Sequence, residues 1–367
     1  MIDSLQNILV QVSDFLWSYI IITVLICCAL FFTWRTRFVQ FRLIKEMVRL
    51  LLNPDKVQPE EIGQDELSME VKVDCLAWQK AFGIEPATMG IVLTVLTLLI
   101  IFGGIQRVAK FSSTVVPVMA VVYLLIAVGV VIWNITSLPK VLLAIVENAF
   151  GFNQAAGGVL GVTVIQGIKR GLFSNEAGEG SAPNAAAVAT VSHPVKQGLI
   201  QALGVFTDTL VVCSCTAFII LVSGVDVTAS NGIQLTQDAL THEIGSIGNP
   251  FVAVMIWLFA FSSIIGNYYY GETNVRYIRD SKLGVFIYRL AVAAMVMVGA
   301  VVSLDFAWSF ADITMALLTL CNLVAIVLLS RQAVFLLQDY RQQKKEGKNP
   351  VFSKDKMPEI ADKLEAW

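Results

Sequence analysis

Residues 171–190 read GLFSNEAGEGSAPNAAAVAT. Apolar segments flank this stretch, yet it carries Asn175, Glu176, Glu179, Ser181 and Asn184 among glycines and alanines, and Pro183 removes one backbone donor. A helix cannot run smoothly through such a composition, because an interior glycine weakens it by about 1 kcal/mol relative to alanine and a proline by about 3 kcal/mol. The stretch is expected to break a helix at or near membrane depth. Backbone released from the helical ladder survives in a bilayer only where protein or a watery cavity meets its N–H and C=O groups, so such a break lines a site. Close helix packing is the plainer reading of the glycines and alanines, but it leaves the acidic and amide side chains unexplained.

Composition sets the class. Of 367 residues, 56% are hydrophobic and only 15% charged, the mean hydropathy is +0.71, and several apolar runs approach the length that crosses a bilayer. An all-α polytopic membrane protein is expected, with membrane lipid as its surroundings. The net charge of -2 carries no nucleic-acid footprint, and the basic residues cluster beside apolar runs. Cys27, Cys28, Cys75, Cys213, Cys215 and Cys321 have neither zinc spacing nor a CxxC pattern and read as small packing residues. His193 and His242 fall in expected loops, which leaves little for a histidine-ligated metal or haem. The N-terminus carries Asp3 and lacks the basic region of a cleavable signal.

The first expected span, Val12 to Thr33, is followed by Arg35, Arg37, Arg42, Lys45 and Arg49 interleaved with Phe38, Phe41, Ile44 and Val48. That pattern suggests a basic amphipathic segment on the cytoplasmic face and an N-terminus outside. From Asn53 to Pro86 the chain is polar and acidic, with Pro54, Pro59, Glu60, Glu61, Asp65, Glu66, Glu70 and Asp74, so no span is expected there. Ala87 to Gly104 is the next span and ends on Gln106, Arg107 and Lys110. Spans then follow at Val115–Trp133, Gly157–Thr190 as a broken pair beside Lys169 and Arg170, Leu199–Gly224, Phe251–Tyr270, Val285–Leu304 and Ala307–Ser330. Thr136–Asn153 and Val225–Asn249 are expected outside. The chain thus divides into 1–52, a transmembrane helix with a basic juxtamembrane helix; 53–86, a polar loop; 87–335, the transmembrane core; and 336–367, a cytoplasmic tail. This topology does not close. About eight spans result, whereas an external start and an internal end require an odd number.

The string FSNEAGEGSAPNAAA (173–187), with QGIKRG (166–171) before it and FTDTLVVCSCTA (206–217) and FAFSSIIGNYYYGE (259–272) after it, resembles the alanine/glycine:cation symporter family, also called sodium:alanine symporters or amino-acid carrier proteins. The resemblance covers about Ser13 to Val48 and nearly everything from Phe82 onward. It implies a LeuT-like inverted-repeat transporter fold, here only partial. Family members carry further helices between the N-terminal helix and the segment beginning near Phe82, including a glycine-broken one with a G-[ST]-G-N type motif. This chain has only the acidic stretch Pro54 to Lys80 there, an apparent internal deletion near residues 65–81. The topology failure points to the same gap.

What the resemblance implies can be weighed residue by residue. A small zwitterion such as alanine or glycine needs donors for its carboxylate, acceptors for its ammonium and a tight wall. Half-helix ends supply the donors. Gln166, Gly167, Phe173, Asn175 and Ser181 are the expected substrate contacts, with interhelical hydrogen bonding as the competing role of Gln166. Ser262 and Ser263 are the expected sodium hydroxyls, unless they merely bond carbonyls of their own helix. Glu176 is expected to pair with Arg170 as a gate or structural link, and Asp208 to cap its helix near the interface. Tyr268 to Tyr270 read as an aromatic belt.

Three functional classes follow. The first is sodium-coupled symport of alanine or glycine by alternating access, with the proton as the other candidate coupling ion and no organic cofactor. The second is an internally deleted, transport-inactive paralogue or scaffold. The third is an enzyme, for which no nucleophile and base pair, metal cluster or cofactor loop is found. Basic flanks and the resemblance suit a bacterial inner membrane, and neither sets an oligomeric state.

Overall fold

The structure, a computed structural model, describes residues 2–52, 67–103, 105–149, 157–187, 189–228, 230 and 232–361. Among these residues every regular element is helical. In chain order the principal helices are α1 (Ile8–Arg35), α2 (Ile44–Leu52), α3 (Leu67–Phe82), α4 (Pro86–Ile101), α5 (Val115–Trp133), α6 (Leu138–Ala149) and α7 (Gly157–Asn175). They are followed by α8 (Ala182–Ala186), α9 (Pro194–Ser223), α10 (Ile233–Ile244), α11 (Gly248–Ile278), α12 (Lys282–Val301), α13 (Leu304–Leu328) and α14 (Ser330–Lys345). Among the described residues six stretches are long and apolar enough to cross a bilayer: α1, α5, α9, the pair α10–α11, α12 and α13. The protein is therefore a multi-pass membrane protein. α4 has 16 residues, which rise roughly 24 Å and fall short of a hydrocarbon core of about 30 Å.

Two stretches expected as loops contain helices. Within 225–249, α10 forms and turns into α11 through the corner Gly245–Ile247. The polar region 53–86 behaves less simply. Residues 53–66 lie outside the described residues, but 67–82 form α3, which packs against α4, α10, α11, α12 and α13. The run LSMEVKVDCLAWQKAF contains no glycine or proline until Gly83, whose φ of 71° ends the helix, and Pro86 then starts α4 at a position where its missing N–H is harmless. Val71, Cys75 and Trp78, spaced as one helical stripe, join a core with Met89, Leu93, Phe261, Ile264, Tyr268 and Val296. Two lysines of this helix are met by neighbours. Lys72 donates to the Ala300 carbonyl at 3.3 Å, at the C-terminal end of α12, and Lys80 pairs with Asp238 at 2.6 Å.

The tyrosines of α11 also depart from expectation. Tyr268 and Tyr270 are buried, and the Tyr268 hydroxyl donates to Glu272. Glu272 in turn accepts from Arg276 at 2.7 Å and from Arg289 of α12 at 3.2 Å. This stretch is a charge-paired seam between α11 and α12 and not an aromatic belt.

At the end of α1 bearing Arg35, the chain closes on itself. Met47 and Leu50 of α2, Leu199 of α9 and Tyr340 of α14 form a small core. Glu46 accepts from Tyr340 at 2.7 Å and pairs with Arg49 and Lys344. Residues 349–352 cross the start of α9: Lys196 donates to Asn349 at 2.7 Å, and the Phe352 N–H donates to the Ser192 carbonyl at 2.9 Å. His193 is fully buried between Tyr340 and Phe352 and meets Asp339 at 3.2 Å.

Burial pushes the His193 imidazole below its ordinary value, and the bond to Asp339 only partly opposes this. Burial acts upward on Asp339, but bonds from Lys356, His193 and Gln343 outweigh it and hold that carboxyl below its usual range. A histidine that binds its proton less readily folded than unfolded loses stability as pH falls through the unfolded value of about 6.5, whereas the Asp339 contribution is lost only below about 4. The tail is expected to loosen between about pH 7 and pH 5.5, read as faster tryptic cleavage at Lys354 and Lys356. His193→Leu should remove that pH dependence.

Candidate functional site

α7 ends where its sequence requires. Glu176 at φ 52°, Gly178 at 99° and Gly180 at 105° put three of five consecutive residues in left-handed backbone, which a right-handed helix cannot absorb. The Asn175 side chain accepts from the Ala177 N–H at 3.0 Å, and Glu179 N–H returns to the Glu176 carbonyl at 3.1 Å. The short α8 follows. Glu176, Glu179 and Ser181 are all buried, and the Ser181 hydroxyl donates to the Glu176 carboxylate. That bond ties the two ends of the turn together and holds a non-glycine residue in a conformation costing about 1–2 kcal/mol.

The turn is lodged against α1 and α13. Asn322 Nδ2 donates to the Gly178 carbonyl at 2.9 Å, and a Cβ on Gly178 would stand 3.4 Å from Leu25 and 3.6 Å from Leu323. Gly180 lies so close to Asn322 that a Cβ there would approach its Cβ to 2.7 Å. Among the described residues, the N–H groups of Gly178 and Gly180 make no hydrogen bond. Leu25 sits in the middle third of the 28-residue α1, so the turn is buried at the depth of the bundle's interior.

Toward the other end of α1 lies a charge network. Arg170 Nη2 bonds Asp312 at 2.6 Å, and its guanidinium lies 3.9 Å over the Trp308 ring. Lys169, buried, stands 3.5 Å from Asp312 and 3.4 Å from Asp14, and Trp17 Nε1 donates to the Asp312 carbonyl at 2.9 Å. About eleven residues separate Asp14 from Leu25 and Asp312 from Leu323, placing the network roughly 16 Å along both helices from the turn. Phe173 packs on Trp308 at 5.2 Å, between the two.

The expected pairing of Arg170 with Glu176 is corrected by these contacts. Six positions along a helix place the two side chains about 120° apart, and Arg170 turns to Asp312 while Glu176 turns inward to Ser181. Of the five expected substrate contacts, Phe173, Asn175 and Ser181 gather at the turn. Gln166 and Gly167 are exposed and begin about nine residues earlier, roughly 13 Å away along α7. Asn175 Nδ2 is engaged by Thr209 at 2.8 Å. Ser262 donates to the Phe259 carbonyl at 2.8 Å, a bond within its own helix, and Ser263 is half-buried on the same helix. Asp208 is not at an interface: it lies midway along α9, in a wide turn spanning 208–213, and accepts from Ser174 at 2.7 Å.

Asp312, Asp14, Trp308, Asn322 and Thr209 were not among the expected site residues. Asp312 carried a usable signal, since a carboxylate inside an apolar span demands a partner. Asn322 carried none, because its role depends on how closely Gly180 approaches.

Helical spans surrounding an irregular, polar turn define the class: a polytopic membrane protein with an interior non-helical segment. The chain belongs to the sodium:alanine symporter family, whose sequence profile it matches over residues 2–69 and 68–354. The two matched segments meet at residues 68 and 69, and the second includes most of α3, so the likeness to the family resumes before Phe82, where it was expected to begin. The chain is 52% identical over 289 residues to the probable sodium/glutamine symporter GlnT of Bacillus subtilis (strain 168), covering 78% of this chain and 60% of that protein. It is 52% identical over 287 residues to the amino-acid carrier protein AlsT of the same organism, covering 78% and 61%. A sodium/proton-dependent alanine carrier protein of Bacillus sp. (strain PS3) is 38% identical over 298 residues, covering 76% and 67%. The chain thus spans about 60% of the length of the first two relatives.

The turn makes a direct test. Gly180→Ala meets both a left-handed φ and Asn322, so it should destabilise the protein by about 1–3 kcal/mol. Gly167→Ala, with nothing within 4 Å of the new Cβ, should be neutral or stabilising by up to about 1 kcal/mol. Thermal unfolding of the two variants in one detergent reads the difference.

Proposed function

We propose that this chain is a secondary active symporter that carries a small neutral amino acid, alanine or glycine, with sodium across a cell membrane by alternating access around residues 176–181. The observation that carries this reading is a buried turn whose Gly178 and Gly180 N–H groups make no bond among the described residues. Inside a bilayer such donors suit an anionic group, here the carboxylate of the amino acid. Phe173 would form the wall against its side chain, with Asn175 and Ser181 shaping the turn. Gln166 and Gly167 keep a role only if α7 rotates during the cycle.

Ser262 and Ser263 would offer hydroxyl oxygens to sodium once Ser262 leaves its own helix, with the proton as the alternative coupling ion. Arg170, held by Asp312 and stacked on Trp308, would act as a gate on one side of Phe173, and Glu176 as the link that keeps the turn shut. In this reading α7, the turn and α8 are the broken helix of a partial LeuT-like inverted repeat. The basic residues of α2 and α14 share one end of the bundle. By the positive-inside rule that end faces the cytoplasm, with the N-terminus of α1 outside, as in a bacterial inner membrane. Its relatives' names, a sodium/glutamine symporter and a sodium/proton-dependent alanine carrier, bring sodium, protons, alanine and glutamine to this proposal.

Radiolabelled alanine uptake into proteoliposomes under an imposed sodium gradient, with glycine and glutamine compared, tests the reading. Gradient-driven alanine uptake is expected, abolished in Asn175→Leu and losing its sodium dependence in Ser263→Ala. Correctly inserted protein that moves none of the three amino acids would instead identify an inactive scaffold.

A further inference from the structure

α3 carries a carboxylate that none of these roles uses. Asp74 shares the stripe of Val71, Cys75 and Trp78, spaced three and four residues apart, and that stripe faces Leu93 of α4 and Phe261, Ile264 and Ile265 of α11. Its exposure is 0%, and neither carboxyl oxygen has a hydrogen-bond partner. The neighbouring Trp78 indole N–H is the one donor near it and closes no bond of normal geometry. Thr97, fully buried on α4, and Asn267 of α11 add further side-chain oxygens without partners to the same helices.

Among the described residues no ion pair reaches Asp74. On α3 itself, Glu70 lies buried one turn earlier and supplies no positive charge, Lys72 turns to the Ala300 carbonyl and Lys80 to Asp238 of α10. α4 has no titratable residue. Tyr268 and Glu272 of α11 close on Arg289 of α12, beside Tyr288. Asp312 of α13 is held by Arg170 and Lys169. Cys75 is buried next to Asp74 and supplies no positive charge.

A carboxylate buried without a counter-charge, and with no more than one weak indole donor beside it, does not remain ionised; it takes up a proton or a cation. Sodium would need a shell of oxygen ligands, whereas Val71, Cys75 and Trp78 beside Asp74 offer hydrocarbon, a thiol and an indole, and no hydrogen bond joins Thr97 or Asn267 to it. We propose that Asp74 is a proton-binding site: its carboxyl holds a proton in the packing seen here and releases it when α3 parts from α11. In that step the O–H bond breaks, the proton passes to water, and the electron pair stays on the carboxylate. Val73 and Met69, on the adjoining face of α3, pack with Phe173 and Trp308 beneath the Arg170 network. Opening of that network would therefore shift α3 and Asp74 with it. This coupling role rests on the transport reading; the protonation does not.

Infrared spectroscopy of the full chain in lipid at neutral pH tests the protonation. The wild type should show a buried protonated-carboxyl C=O band that Asp74→Asn lacks and that exchanging potassium for sodium leaves unchanged. Identical spectra for the two proteins, or loss of the band on adding sodium, would overturn the proposal. If Asp74→Asn does not fold, carbon-13 aspartate labelling of the wild type must shift the band and Asp74→Glu must move it. For the coupling role, an inward proton gradient without sodium should drive alanine accumulation in wild-type proteoliposomes and only equilibration in Asp74→Asn. Accumulation driven by sodium alone would remove the coupling role, and absence of uptake under either gradient would sink the transport reading while the infrared band still decides the state of Asp74.

Discussion

A peptide chain that leaves the helical ladder inside hydrocarbon must have its N–H and C=O groups met by protein, and the residues around 176–181 are arranged to that end. Asn322 takes the Gly178 carbonyl, the Asn175 side chain takes the Ala177 N–H, and Ser181 fastens itself to Glu176. The same constraint explains why Gly180 is glycine: its backbone must lie within reach of α13, where a Cβ has no room. α1 and α13 then have to hold fixed positions on either side of the turn. Among the described residues the Gly178 and Gly180 N–H groups are left without a bond, placed where a ligand could use them.

Charge inside the bundle follows a second rule. Every basic side chain placed deep among the described helices has an oxygen assigned to it: Arg170 and Lys169 share Asp312, Arg289 and Arg276 share Glu272, and Lys72 uses a helix C-terminus. Such pairs add little net stability, since desolvation offsets much of the attraction, but removing one partner strands the other. They fix which helices may neighbour one another. Asp74 lies outside these pairs, with neither carboxyl oxygen bonded, and for that reason it stands out chemically.

Much of the helix pattern was legible because a span has a one-dimensional signature of about 20 apolar residues. α1, α5, α9, α11, α12 and α13 each lie close to an expected span. α3 was not legible. Its charges resemble those of a solvated loop, and only the positions of Ala300 and Asp238 show that they can be accommodated inside the bundle. The site divides the same way. Phe173, Asn175 and Ser181 gather because they are near in sequence and the break folds them together, whereas Gln166 is exposed because a helix carries it away from the turn.

The amino-acid sequence alone determined the class and the family, and marked where α7 ends. These depend on composition, glycine placement and local motif, all of which act over a few residues. The tertiary structure decided that Arg170 reaches Asp312 and not Glu176, that Asn322 supports the turn, and that α3 sits in the core with Asp74 unpaired. Those outcomes depend on which helix faces meet across gaps of up to 295 positions in the chain, and hydrophobic periodicity does not encode that choice.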